Sequence, residues 1–225
     1  MRIIAIGGFF HDLNFSYYDT EIGLESLICV EEERFSREKQ HKIQSKSVSS
    51  LYGIDFILKS KELKEADVDL ILFSDIVDQP IYSFIIGRFI NSKSLKIGHH
   101  LCHFGNILSF NKKLLENSAS FIYDAYGDNY SGMNLRFRNN EIHNINYHEM
   151  CDSLGIVYTA ATTHLGLGSF GSEGKMQGLA SYGSYQESLS ISKYIHIKDN
   201  LICLNKELNL SSLSPDQELY SSNKN

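Results

Sequence analysis

Ile3-Ile4-Ala5-Ile6-Gly7-Gly8 opens this sequence. Four apolar residues ending in two glycines predict a buried first strand that runs into a tight turn. Asn14 to Asp19 alternates weakly before turn residues, and Leu24 to Val30 is a third strand segment. Three strands so close together predict a meander, with the acidic cluster Glu31-Glu32-Glu33 at its end. A helix fits Ser47 to Lys61, where Leu51, Ile54 or Asp55, and Leu58 recur at helical spacing. Asp69 to Ser74 contains the wholly apolar Leu70-Ile71-Leu72-Phe73 and reads as a strand. His99 to Phe110 reads as a helix, and Ala119 to Tyr123 as a buried strand ending at Asp124. Leu135 to Phe137 and Ile142 to Tyr147 flank Asn139-Asn140, a hairpin signature. Helix returns from about Leu154 to Leu165. The order β-β-β-α-β-α-β-β-β-α is that of a mixed α/β protein. Beyond Tyr182 the pattern weakens, and residues 206–225, rich in Ser, Asn and Lys, are expected to form a mobile or partly ordered tail.

The 225 residues, 42% apolar and 21% charged, are enough for one large domain or two small ones and do not fit a disordered tail, a collagen-like rod or a membrane bundle. The formal charge of −6 provides no basic excess for neutralising nucleic-acid phosphates. Cys29, Cys102, Cys151 and Cys203 are scattered without a CxxC pair, which points to a reducing compartment rather than a disulfide framework. No apolar run approaches the ~20 residues that cross a bilayer. The longest, Ile81 to Ile90, is interrupted by Arg88. The expectation is a soluble, cytoplasmic protein.

The sharpest chemical cluster is Gly98-His99-His100-Leu101-Cys102-His103. Residues four apart share a helix face, so His99 and His103 can point at one divalent cation, with Asp124 as an acidic candidate for a third ligand. Two imidazoles and a carboxylate leave coordination positions open for substrate. The same spacing also occurs on helices whose histidines are partly buried core, and an Asp at a strand end often caps a turn. Gly7 and Gly8 allow backbone N–H groups to approach an anion, with His11 as a base and Asp12 orienting it, or they form an ordinary hairpin turn. In the run Glu31 to Lys39, Phe35 implies one buried face, and Arg34, Arg37 and Lys39 are candidates to neutralise a phosphate or oxyanion. Gly166-Leu167-Gly168-Ser169-Phe170-Gly171 matches G-x-G-x-x-G, but a helical pattern precedes it where a dinucleotide site needs a strand. Glu173 to Ala180 reads as the start of another helix. Asp128, after Gly127, either touches a ligand or caps a turn.

Taken together, five segments in order resemble the N-terminal half of the O-carbamoyltransferase family of nodulation-factor and antibiotic biosynthesis. They are Gly7 to Asp12, Glu31 to Arg37, His99 to His103, Asp124-Ala125-Tyr126-Gly127 (like the family's D-G-x-G) and Glu173 to Ala180 (like its E-x-K-x-M-G-L-A). The resemblance implies an actin-like ATPase (ribonuclease H-like) fold, in the metal-bearing form that also serves threonylcarbamoyl transfer to tRNA. The chain would hold the first subdomain of that fold plus the start of the second, with residues 1–183 an N-terminal actin-like carbamoyltransferase domain, incomplete relative to the family, and 184–225 the start of the next subdomain or a mobile tail. It implies His99, His103 and Asp124 as metal ligands, with Fe(II), Zn or Mn as the ion. His11 and Lys39 would line the pocket, with Gly7, Gly8, Asp12, Arg37 and Asp128 on the substrate side. The implied reaction moves a carbamoyl group from carbamoyl phosphate, through ATP-derived carbamoyl-adenylate, to a hydroxyl of a small-molecule acceptor. Family members carry further C-terminal domains, so a second polypeptide is an expected partner. The alternatives are a non-catalytic remnant that binds metal or nucleotide, and a threonylcarbamoyl-transfer relative. Two departures stand out: Ala125 replaces a glycine, and Gln177 splits the M-G-L-A element.

Overall fold

A computed structural model describes residues 1–8, 12–38, 51–110, 116–127, 129–168, 171–183, 194–198 and 201–205. The chain divides into two compact units, Met1–His103 and Phe104–Asn225.

The first unit is built on a five-stranded sheet. β1 (Arg2–Gly7), β2 (Asn14–Asp19) and β3 (Gly23–Glu31) form the expected antiparallel meander. After the short α1 (Glu33–Ser36) and α2 (Tyr52–Ser60), β4 (Leu70–Ser74) enters parallel to β1. α3 (Gln79–Arg88) leads to β5 (Lys93–Ile97), parallel to β4. The sheet order is β3-β2-β1-β4-β5, antiparallel from β1 toward β3 and parallel from β1 toward β5.

Register explains why this sheet forms. Tyr17, Ile4 and Ile71 lie side by side across three strands, and Phe15, Ile6 and Phe73 make the next row. All six are buried, in one cluster with Ile54, Ile57 and Leu58 of α2 and Ile81 and Ile85 of α3. Each such side chain contributes about 1.5–3 kcal/mol on burial. α3 and β5 have no counterpart in the sequence-based element order. α3 holds Ile81 to Arg88 of the apolar run weighed above, and Arg88 closes the helix as its last residue. Arg88 reaches Asp55 at 2.6 Å and Glu65 at 2.8 Å, tying α3 to its neighbours. β5, Lys-Ser-Leu-Lys-Ile, is an edge strand exposed at four of five positions, so it lacks the buried run that marks an inner strand. No described helix is long and apolar enough to cross a membrane.

α4 (His99–Phe110) runs through the division between the units. In the second unit, β6 (Ser118–Gly127), β7 (Tyr130–Arg138) and β8 (Glu141–Glu149) form an antiparallel sheet. Asn139 and Asn140 both have positive φ (54° and 62°), which a two-residue hairpin turn of the favoured twist requires. Met133, Leu135 and Phe137 alternate inward, and Phe137 meets Phe104 with ring centroids 5.7 Å apart. α5 (Leu154–His164) follows, capped by Ser153 Oγ, which accepts from Ile156 N–H at 3.1 Å. α6 (Glu173–Leu179) is short. Glu173 accepts from Thr159 Oγ1–H at 2.7 Å and from Gly171 N–H at 2.9 Å, so this glutamate locks the glycine loop to α5. A small hairpin of β9 (Ile195–Lys198) and β10 (Leu201–Leu204) closes the described part, with Leu204 N–H donating to Asp152 Oδ1 at 2.7 Å. Residues 206–225, expected as a tail, lie outside the described residues.

Candidate metal centre

α4 begins one residue after β5, and its first turn is fixed by a reciprocal clasp. Asp75, just past β4, donates its backbone N–H to Ile97 O at 2.9 Å. Its carboxylate Oδ1 accepts from His99 N–H at 3.1 Å. A carboxylate at a helix N-terminus satisfies an orphan donor and suits the helix dipole. Four residues further on, the helical repeat brings His103 beneath His99, with their Nε2 atoms 3.0 Å apart. The ring centroids are 4.5 Å apart and nearly perpendicular. His99 is half-buried and His103 exposed, whereas His100 points elsewhere and is fully buried. Cys102 is half-buried, with its sulfur 3.8 Å from Ile97 O.

Asp124 does not end its strand, as the sequence suggested. It lies within β6, where the pairing with β7 slips between Tyr123 and Gly127. Such an irregularity re-aims side chains. Its Oδ1 accepts from Ala125 N–H at 2.6 Å. Ser153 Oγ–H donates to Ala125 O at 2.8 Å, pinning the irregular segment to the start of α5. Gly155 completes this contact: a Cβ there would lie 2.6 Å from Ala125 Cα. His99 and His103 each offer a ring nitrogen on one face of α4, and Asp124 offers a carboxylate oxygen on β6.

The donor set fits a divalent ion. Metal–nitrogen distances of about 2.0–2.1 Å allow two nitrogens 3.0 Å apart to share one cation. Imidazole with carboxylate is the mixture that serves Fe, Zn and Mn.

The other expected site residues are distributed unevenly. Gly7 ends β1, opposite Asn14, and Gly8 has φ +99°. A Cβ on Gly8 would stand 2.7 Å from Asp12 O and Leu13 Cα, so the turn requires glycine for its close backbone approach. Asp12 itself has φ 56°, and its carbonyl accepts from Asn14 Nδ2 at 2.9 Å. Arg37 is exposed and ends α1 in the left-handed conformation. Arg34 is paired with Glu31 at 3.2 Å on the exposed surface. Glu32, in the same charge run, is buried and structural, accepting from Tyr52 N–H and Gly53 N–H, both at 2.8 Å, at the start of α2. His11, Lys39 and Asp128 lie outside the described residues. Sequence reasoning missed Asp75, Ser153 and Gly155. Ser153 was legible as an N-cap signal before the helix at Leu154, and Asp75 as a carboxylate directly after an apolar strand.

The family model of the carbamoyltransferase N-terminus matches residues 2–93 and 88–209. The chain belongs to this family. A search of the curated proteins finds no match. Among solved structures, the chain is similar to an uncharacterized protein from Pseudomonas aeruginosa described as resembling the peptidase YeaZ. Identity is 9%, the TM-score is 0.43, and the alignment covers 66% of each chain. YeaZ from Pseudomonas aeruginosa is similar at 9% identity and a TM-score of 0.42, over 65% of this chain and 67% of that one. The chain thus spans about two thirds of the length of these structures.

Proposed function

We propose that this chain is the metal-bearing front portion of a carbamoyltransferase that acts on a hydroxyl of a small molecule. The observation that carries the reading is the His99–His103 pair on α4, whose Nε2 atoms lie 3.0 Å apart, with Asp124 as the third ligand of the proposal. Membership of the carbamoyltransferase N-terminus family supports the reaction class. In this reading the two imidazoles and the carboxylate hold a divalent ion, Fe(II) by preference, with Zn or Mn as substitutes. A bound ion of this kind polarises a carbonyl oxygen as a Lewis acid. The narrow turn at Gly7 and Gly8 lets backbone come close to an anionic group of the donor, which is carbamoyl-adenylate made from carbamoyl phosphate and ATP.

His11 and Lys39 take the pocket roles that the resemblance implies, His11 as base and Lys39 as the cation facing donor phosphate, while Asp12, Arg37 and Asp128 contact substrate. Transfer forms a bond from the acceptor hydroxyl oxygen to the carbamoyl carbon. The bond from that carbon to the adenylate phosphate oxygen breaks, AMP leaves, and the hydroxyl proton passes to the base. In this reading carbamoyl-adenylate reaches the site from a donor-forming domain, of the same enzyme or of a second polypeptide.

The test is reconstitution. The chain, loaded with Fe(II) and mixed with a partner carrying the donor-forming activity, is expected to carbamoylate a hydroxyl acceptor from carbamoyl phosphate and ATP. Metal and nucleotide binding without transfer in that mixture would favour the non-catalytic module and overturn the enzyme.

A further inference from the structure

The far end of the β7–β8 hairpin carries a second group of polar side chains that the metal centre does not use. Alternation along β7 sends Leu135 and Phe137 into the core and leaves Arg136 and Arg138 together on the exposed face. Arg136 stands opposite His143 on β8, and Arg138 opposite Glu141. Between His143 and Asn146 the pairing slips, and Asn144 takes a positive φ of 50°, a kink that re-aims its side chain. Arg136, Arg138, Asn139, His143 and Asn144 line a concavity of about 270 Å³.

Every one of these side chains can donate hydrogen bonds, and none is a carboxylate. Setting two guanidiniums and an imidazole side by side on a sheet face costs stability through like-charge repulsion once the histidine is protonated. Two acidic groups stand near. Glu141 Oε2 is 3.7 Å from His143 Nε2 at the rim, and the Glu116 carboxylate is occupied by the backbone N–H groups of Asn139 and Asn140. Neither lines the concavity. Planar guanidiniums two residues apart on one strand suit the oxygens of a phosphate group, which they can bind in pairs.

We propose that this hairpin end is a binding site for a phosphate-bearing small molecule. It is separate from the proposed metal ligand Asp124. Gly132, opposite Tyr123, precedes Arg136 and Arg138 by four and six residues, roughly 13–20 Å along the strand. The overall charge of −6 argues for a small ligand over a nucleic-acid backbone.

Titration of the full chain with inorganic pyrophosphate, followed by calorimetry, tests the site without any metal or catalytic readout. Saturable binding is expected, with Arg136→Ala and Arg138→Ala each weakening it about tenfold or more. Glu141→Gln, which removes the rim carboxylate, is expected to tighten it several-fold. Failure of the unmodified chain to bind, affinity in both arginine variants equal to that of the unmodified chain, or no tightening in Glu141→Gln would overturn the proposal. Arginine-dependent binding of a short RNA duplex in preference to pyrophosphate would overturn the small-molecule assignment.

Discussion

Asp75 acts on the proposed metal centre without being one of its ligands. Its Oδ1 bond to His99 N–H orients the first turn of α4, and outer partners of this kind typically change metal affinity by ten- to a hundredfold. Asp75→Ala is therefore expected to weaken Fe(II) or Zn(II) binding about tenfold in competition with a chelating indicator. Asp75→Asn keeps an oxygen acceptor and is expected to restore most of that loss. At the same scale, Glu32 shows how a charge run can mislead. It sits between two other glutamates in a charged run, yet this one carboxylate accepts two amide bonds at the start of α2. Glu32→Ala is expected to cost about 2–3 kcal/mol in urea unfolding, because two backbone donors, one of them buried, lose a charged partner. Nothing in the residues Glu31-Glu32-Glu33 distinguishes the middle one. The choice is made when α2, some twenty residues on, folds over it.

Secondary-structure elements were most legible where one period dominates. The meander, β4, α4, the Asn139-Asn140 hairpin and α5 all follow from local alternation, helical spacing or turn chemistry. β5, β9 and β10 are short, and β5 is an exposed edge, so their pairing comes from neighbouring strands rather than from an apolar pattern of their own. The His99–His103 pair was legible for the same reason α4 was, since a four-residue spacing on a helix fixes a shared face. The setting of Asp124 was not legible, because the slip in β6–β7 pairing depends on what packs behind it. Gly155 is the clearest such element-level contact. Gly155→Ala places a Cβ 2.6 Å from the Cα of Ala125, backbone that cannot step aside. It is expected to destabilise the protein by about 1–3 kcal/mol and to weaken metal binding, measured in parallel by thermal melting and indicator competition.

Across the whole molecule, acid should loosen the second unit before carboxylates matter. His148 is buried on β8 against the Tyr123 ring, with centroids 4.8 Å apart. Burial holds its pKa below the ordinary value of 6.5, partly offset by the Ile202 backbone and Asp152. The unfolded chain then binds a proton at pH values where the folded chain does not. Stability is full above about pH 6.5 and falls as pH drops below it, until the folded-state pKa is reached. Glu65 works in the same direction at lower pH. A backbone hydrogen bond and Arg88 hold its pKa below 4.5, so its contribution is lost as pH falls from there through the folded value. Urea midpoints are expected to decline between pH 7 and 5, and His148→Leu is expected to flatten that decline. An unchanged slope in the variant would remove His148 as the cause.

The claim on which the enzymatic account rests is that two imidazoles and one carboxylate hold a single ion. Elemental analysis of the chain after exposure to Fe(II), Zn(II) or Mn(II) and removal of loose metal tests it most directly. About one equivalent per chain is expected for the unmodified protein, and close to none for His103→Ala at unchanged secondary structure. Equal metal content in the two proteins, or none in either, would contradict it.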